Sequence, residues 1–445
     1  MQQILDLHIH SKYSRACSPQ LTLPNIEATC RIKGVDIVAT GDFTYPDWFR
    51  DIKENLTPSP FNKGEGEGRV EKIPPLPPPY KGGEKNEGEG SLYLLKSAKD
   101  EKIRFILSTE FALIYKKADK VRRIHIVLHA PNIEAVEELN KYLDKKYNIR
   151  SDGRPILGMN AEELCKICFS IHPKFLIYPA HIWTPWFSVF GSKSGFDSMA
   201  ECFGEYTDQI YAYETGLSSD PEMNWRLSAL DKLTLLSNSD AHSLPNIGRE
   251  ANVMDLDTVT YDEIYKAIKE KDVSKLKYSI EFYPEEGMYH YDGHRDCSVR
   301  MTPGETKKNK GICPKCKKKM VIGVMYRVDE LADRALGFKP KNAPGFKKLV
   351  ELDKIIAEAL GIKSRSSLRV QAEYNKLISQ AGSELDILIK ADLAKLKKMT
   401  YAEIVEGIRR VREGELIIEP GFDGQYGVIK IFKDEEKVDK QQQLF

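Results

Sequence analysis

The sequence predicts an α/β protein. A closed or nearly closed β/α barrel is expected over residues 1–285, a small zinc-binding module over 286–330, a mostly helical region over 331–433 and a flexible tail over 434–445. Three observations predict this. Short apolar runs alternate with helical patterns through the first 285 residues. Imidazole and carboxylate side chains collect where those runs end, as at the rim of a barrel. A stretch rich in cysteine, histidine and lysine then breaks the alternation. The length of 445 residues suits two or three domains at about 150 residues each.

The strand-like runs are Ile4–Leu7, Val35–Thr40, Arg104–Thr109, Ile124–Leu128, Phe175–Tyr178, Gln209–Tyr213 and Leu233–Leu236. Helical patterns such as IEAVEELNKYLDKKY lie between them. A doubly wound sheet is the alternative way to assemble the same elements. Residues 57–90 stand apart, with fourteen Pro or Gly in 34 residues, and are expected to form a disordered insertion. The prolines at 74–79 offer a proline-rich recognition site as a second reading.

Composition excludes several classes. Lys and Arg total 67 against 66 Asp and Glu, which rules out a globally basic nucleic-acid coat but not a local basic patch. No apolar run approaches the roughly 18 residues of a membrane span. The start, MQQILDLHIH, lacks the features of a signal peptide, and eight cysteines are too few for a disulfide scaffold. A cytoplasmic protein is expected.

Strand one runs into Asp6, His8 and His10, and a period of two places both histidines on one side. Asp240 and His242 repeat the pattern after the last run. Asp42, Glu110, His125 and His181 fall at or near the intervening strands. Five imidazoles and three carboxylates at one rim need cations to be stable there. The mixed nitrogen and oxygen set suits zinc, manganese or iron, with magnesium a further candidate. Eight ligands exceed the needs of one ion, so two or three divalent ions are expected. His129 is the rival ligand, and His172, beside Pro173, is expected at the surface.

His294, Cys297, Cys313 and Cys316 form a second set with the spacing of a structural zinc site, with His290 the rival to His294. A redox CxxC is the other reading. Nine Lys or Arg against two acidic residues between Arg295 and Lys319 suggest a grip on backbone phosphates. Lys390, Lys395, Lys397, Lys398, Arg409, Arg410 and Arg412 form a second basic set.

The strings HIHSKYS, PAH at 179–181 and SDAH at 239–242, with Glu110 and His125, resemble the polymerase and histidinol phosphatase (PHP) superfamily. Within it, TGDFTYPDW, PAHIWTPWFSVFGSKSGFDS, ETGLSSDPEMNWRLS, SNSDAHSLPNIGREAN, YHYDGHRDC, GICPKC, RVDELADR and PGFDGQYG resemble the endonuclease Q family. The likeness covers nearly the whole chain except residues 57–90 and the last dozen. It implies a distorted PHP-type barrel with a trinuclear site. It also implies a metal-dependent endonuclease in DNA repair, cutting 5′ of uracil, hypoxanthine, xanthine or abasic sites and leaving 3′-hydroxyl and 5′-phosphate ends. Damaged DNA would be its partner and the nucleoid its place. The sequence departs from the pattern at Phe43 and Tyr45, where relatives often carry histidine.

A base-reading wall is expected from Trp183, Trp186, Phe187, Phe190, Lys193, Ser218 and Ser219, with Glu214 either contacting substrate or supporting a ligand. The other functions weighed are a histidinol-phosphatase-like enzyme and a catalytically dead DNA-binding scaffold. Gln441-Gln442-Gln443-Leu444-Phe445 has the form of a sliding-clamp-binding peptide.

Overall fold

The structure is a computed structural model that describes residues 1–60 and 90–433. Its strands in chain order are β1 (Gln2–Asp6), β2 (Ile37–Ala39), β3 (Leu56–Pro58), β4 (Tyr93–Leu95), β5 (Arg104–Ile106), β6 (Ser108–Lys117), β7 (Lys120–His129), β8 (Ile156–Leu157), β9 (Leu176–Pro179), β10 (Ala212–Glu214), β11 (Thr234–Leu236), β12 (Ala251–Asp255) and β13 (Leu276–Glu281). All seven apolar runs named above contain or adjoin one of them. β1, β2 and β5 pair in parallel. The chain then passes through Leu107 into β6, which pairs antiparallel with β7, and β7 pairs antiparallel with β9. The backbone N–H of Ile182 donates to the Glu214 carbonyl (3.1 Å), linking β9 to β10, and β10 pairs in parallel with β11. The circuit closes where Ile9 bridges Ala241 and the His10 N–H donates to the Ala241 carbonyl at 3.1 Å.

The result is a distorted β/α barrel with one reversed strand, not an open doubly wound sheet. Three of the helices around it start on side-chain caps. Asn132 accepts from Ala135 N before Ile133–Leu143, Asn160 from Glu163 N before Ala161–Ile171, and Thr260 from Glu263 N before Tyr261–Lys269. Their apolar faces cover a core that includes Leu5, Val38, Phe105, Ile126, Ile177 and Leu236, all buried.

Several expectations need correction. Thr57 and Pro58 belong to β3, which pairs with β4, so the first residues assigned to the insertion are strand. The rest of that segment, 61–89, lies outside the described residues, as do the prolines at 74–79 and the tail with Gln441–Phe445. Glu110 sits inside β6 rather than at a strand end. His172 is buried, not superficial, and its Nδ1 accepts the Lys174 N–H at 3.1 Å.

Beyond the barrel, β14 (Asp292–His294) and β15 (Val299–Met301) form a hairpin followed by the helix Pro303–Lys308. The C-terminal region is mostly helical, but it contributes β16 (Gly345–Lys348), which pairs in parallel with β13 and extends the barrel's largest sheet. It ends in β17 (Ile417–Glu419) and β18 (Val428–Lys430). The turn between them lies against the β14–β15 hairpin. Tyr291 bridges Phe422, and Arg295 N–H donates to Asp423 Oδ2 at 2.7 Å.

Candidate metal centres

His8 and His10 lie just past β1, where the backbone stays extended and Ile9 is pinned to Ala241. Asp240 follows β11 and turns back with φ +45°, and His181 follows β9 with φ +29°. Positive φ at non-glycine residues that hold polar groups marks backbone constrained for a purpose. Gly216 makes the turn at His181 feasible, since a Cβ there would stand 2.4 Å from the His181 Cβ.

Two groups of ligand atoms result. In the first, His8, His10, Glu110 and Asp240 each offer an atom within 4.8 Å of the others. His10 Nε2 lies 3.1 Å from Asp240 Oδ1 and 3.4 Å from Glu110 Oε2. In the second, Glu110 Oε1 lies 2.8 Å from His125 Nδ1 and 3.4 Å from His181 Nε2. Glu110 belongs to both, so its two oxygens span the groups. His242 stands beside the first, its ring centroid 4.6 Å from that of His10. Its Nδ1 is turned to the Asp240 carbonyl at 2.8 Å, leaving Nε2 as its remaining ring nitrogen.

These residues fit cations. Among the described residues, His8 Nε2, His10 Nε2, Glu110 Oε1 and Asp240 Oδ1 are buried without a hydrogen-bond partner. Orphaned donors and acceptors of this kind are costly unless an ion satisfies them. The protonation balance points the same way. Burial lowers the affinity of His8 for a proton, yet Glu214 and Glu110 outweigh it and raise the pKa well above the ordinary value. Burial likewise opposes a charge on His10, and Asp42 and Asp240 overcome it. The carboxylates draw positive charge into the site, and ions would supply it without protons.

Asp42 differs from expectation. It lies behind His10, with Oδ1 3.0 Å from His10 Nδ1. Its Oδ2 accepts from Ser11 N (2.6 Å), Ser11 Oγ (2.7 Å) and Ser14 Oγ (2.9 Å). Both oxygens are occupied, an arrangement that suits a carboxylate supporting a ligand histidine, and Asp42 lies outside both ligand groups. Glu214 acts in the same way on His8, with Nδ1 at 3.0 and 3.2 Å from its two oxygens, and accepts the His181 N–H at 3.1 Å. It is fully buried. His129 is held by Tyr178 Oη at 3.0 Å and joins neither group. Phe43 is core, and Tyr45 stacks on Tyr13 at 4.5 Å.

The expected base-reading wall is only partly exposed. Trp183 is buried, donates from Nε1 to Asn224 Oδ1 (2.8 Å) and packs on Phe190, which is also core. Ser219 is buried and bonded to Thr215 O and Asn224 Nδ2. Trp186 is 43% exposed and meets Tyr289 edge-on, while the half-buried Phe187 lies 4.6 Å from the His125 ring. Lys193 is exposed and Ser218 half-buried.

Arg154 carried no signal in the sequence. Its Nη1 donates to Glu110 Oε2 at 3.0 Å.

His294, Cys297, Cys313 and Cys316 bring their ligand atoms together within 4.8 Å, and His290 stays outside that group. Cys313 belongs to a small separate core with Val299 and Met320. The knuckle closes through Cys313 N–H to Lys318 O (2.8 Å) and Lys317 N–H to Cys313 O (2.9 Å). Three sulfurs and an imidazole in a module with so little core fit structural zinc. Around it Lys308, Lys310, Lys317, Lys318 and Lys319 are exposed. In the second basic set Lys395, Lys397 and Lys398 are exposed, while the arginines are engaged internally. Arg409 pairs with Glu406, Glu413 and Glu415, and Arg412 donates to the carbonyls of Leu388, Ile387 and Ala391.

A rim of imidazoles and carboxylates in two groups joined by one glutamate, on a distorted β/α barrel, defines a metal-dependent phosphodiesterase. A family described as PHP-associated matches residues 225–273, and one described as the MJ0043 C-terminal domain matches residues 351–415. Over 99% of both chains, the fold superposes on the lesion-specific endonuclease PfuEndoQ of Pyrococcus furiosus with a TM-score of 0.79 and 30% identity. It matches an endonuclease Q complexed with a 27-mer duplex carrying an abasic lesion with a TM-score of 0.78 and 30% identity, covering 98% of each chain. The uncharacterized protein MJ0043 of Methanocaldococcus jannaschii is 34% identical over 253 residues, which are 55% of this chain and 31% of that protein. The chain thus spans about a third of that relative's length. The chain belongs to the endonuclease Q family of the PHP superfamily.

Proposed function

We propose that the protein incises DNA beside damaged nucleotides as a metal-dependent endonuclease of DNA repair in the cytoplasm. The single observation that carries this reading is Glu110, shared between two buried ligand groups in a chain that matches a lesion-specific endonuclease along its whole length. The substrates are duplexes carrying uracil, hypoxanthine, xanthine or an abasic site, cut on the 5′ side of the lesion. His8, His10, Glu110 and Asp240 would hold one ion, and Glu110, His125 and His181 another, with His242 placed to add a ligand.

Such ions supply the Lewis acidity that activates water and stabilises charge on the leaving oxygen. Asp42 and Glu214 fix the faces that His10 and His8 present. Water adds to phosphorus, the bond to the 3′ oxygen of the upstream nucleotide breaks, and that oxygen takes a proton. The products are a 3′-hydroxyl and a 5′-phosphate. The exposed lysines of the zinc module would hold backbone phosphates, and Trp186 and Phe187 would border the displaced nucleotide. The barrel, zinc module and helical region are read as three cooperating parts.

The test uses metal-reconstituted protein and labelled duplexes carrying uracil, hypoxanthine, an abasic site or no lesion, with both new ends mapped. Nicking only beside the lesions, lost in Asp240→Ala, is expected. Equal cutting of the undamaged duplex, or hydrolysis of small phosphomonoesters alone, would overturn the reading.

A further inference from the structure

Arg154 sits on a six-residue connection, 150–155, that is pinned to the barrel from several sides. Gly153 N–H donates to Tyr13 O at 3.0 Å, and Ala112 N–H to Pro155 O at 3.1 Å. Asp152 Oδ1 accepts from both Arg15 N and Arg154 N at 3.1 Å. Gly153 lies so close to the carboxylate behind His10 that a Cβ would stand 2.5 Å from Asp42 Oδ2 and Ser14 Oγ. The backbone of this connection is therefore held by these bonds and packed against the same carboxylate that fixes His10, and its Arg154 reaches Glu110.

The guanidinium has five N–H donors in a planar fork. Among the described residues its side chain makes one hydrogen bond, to Glu110 Oε2, and it remains 23% exposed. A guanidinium serving only to neutralise Glu110 would be expected to bury its remaining donors against other acceptors. This one stays partly exposed beside the ligand groups, close enough for the charges of both Glu110 and Asp240 to act on it. A phosphate bound to ions held by Glu110 and Asp240 would therefore lie near its free donors.

We infer that Arg154 is a substrate-contacting residue that donates to a non-bridging oxygen of the scissile phosphate while its other edge stays on Glu110. The inference rests on the phosphodiesterase reading above. It assigns Arg154 two tasks at once: setting the orientation of the shared carboxylate and receiving the anion that the ions will polarise. Guanidinium geometry suits both, because two edges of one plane can serve two oxyanions.

The experiment compares wild type, Arg154→Gln and Arg154→Lys, each metal-loaded and assayed for metal content, nicking and duplex affinity at several salt concentrations. The undamaged duplex is included in the binding series. With one phosphate no longer neutralised by the protein, the plot of log K against log salt should become shallower by about 0.9 in Arg154→Gln. Nicking should drop about 100-fold, mainly in kcat, with the barrel ions retained. Arg154→Lys should recover part of the salt dependence but little of the rate. An unchanged slope with normal nicking overturns the inference. So does loss of barrel ions with an unchanged slope, or failure of both variants to fold, since either makes Arg154 a structural counter-charge. Failure of wild type to nick any lesion strikes the proposed function instead, and the salt slope is read independently of it.

Discussion

Asp42 holds His10 from behind, Oδ1 to Nδ1 at 3.0 Å, while its other oxygen gathers Ser11 and Ser14. One carboxylate thereby fixes both the ring plane of a ligand and the loop that carries it. Asp42→Asn should fold but lose about 10- to 100-fold in metal affinity or activity, the usual effect of removing a supporting partner. Titration of the apo protein with zinc or manganese, followed by nicking, checks this. Wild-type affinity in the variant would mean that the serines alone suffice.

Glu281 closes β13 in full burial, and Ala251 pairs with Ile280, so Glu250 stands across from it. Burial pushes the Glu281 carboxyl up to about 8 from its ordinary 4.5. The folded chain then keeps a proton that the unfolded chain has released. This contribution to stability is complete below about pH 4.5, fades as pH rises and is gone above about 8. Denaturant midpoints at pH 5 and pH 8 should therefore differ less in Glu281→Gln than in wild type. Parallel pH profiles would show that no proton is held there.

Cys313→Ser should release one tightly bound zinc and loosen residues 286–330, whose own core is little more than Val299, Cys313 and Met320. The barrel ions should remain. Elemental analysis before and after a mild chelator decides it, and an unchanged zinc content would remove the four residues from consideration as a site.

Deleting residues 61–89 and joining the ends with a short flexible linker should leave folding and nicking near wild type. β3 and β4 already form a ladder, and Ser59 N–H reaches Leu92 O at 2.8 Å, so the gap to be closed is small. Loss of duplex binding in the deletion protein would reveal a role for the removed segment.

The residues Gln441–Phe445 are proposed to anchor the protein to a sliding clamp, which would raise the local concentration of substrate. A chain ending at Lys440 should lose micromolar binding to the clamp that the intact chain shows. Equal binding by both forms, or binding by neither, argues against the anchor.

The barrel and its ligands were legible because periodicity and chemistry coincided: the alternation that places His8 and His10 together also marks the strand that carries them. Asp42 and Glu214 were visible as acids near strand ends, yet nothing local distinguishes a carboxylate that binds an ion from one that turns a histidine. Arg154 was invisible because its partner, Glu110, lies 44 residues back along the chain, and its own connection, 150–155, has no periodicity. Trp183 and Ser219 looked available for substrate because exposure is a property of packing. β16 was missed because Gly345–Lys348 is short, polar and stabilised by β13 rather than by its own propensity.

That added strand also bears on self-association. β16 occupies the flank of β13 and carries Lys347 and Lys348, with Lys348 paired to Asp220 at 2.7 Å. Lysines on a terminal strand discourage another chain from pairing there. Without residues 331–433, β13 would present its unpaired backbone, LKYSIE, to any passing strand. The helical region therefore acts as a built-in guard against sheet-to-sheet aggregation, and the barrel is ill suited to a solitary existence.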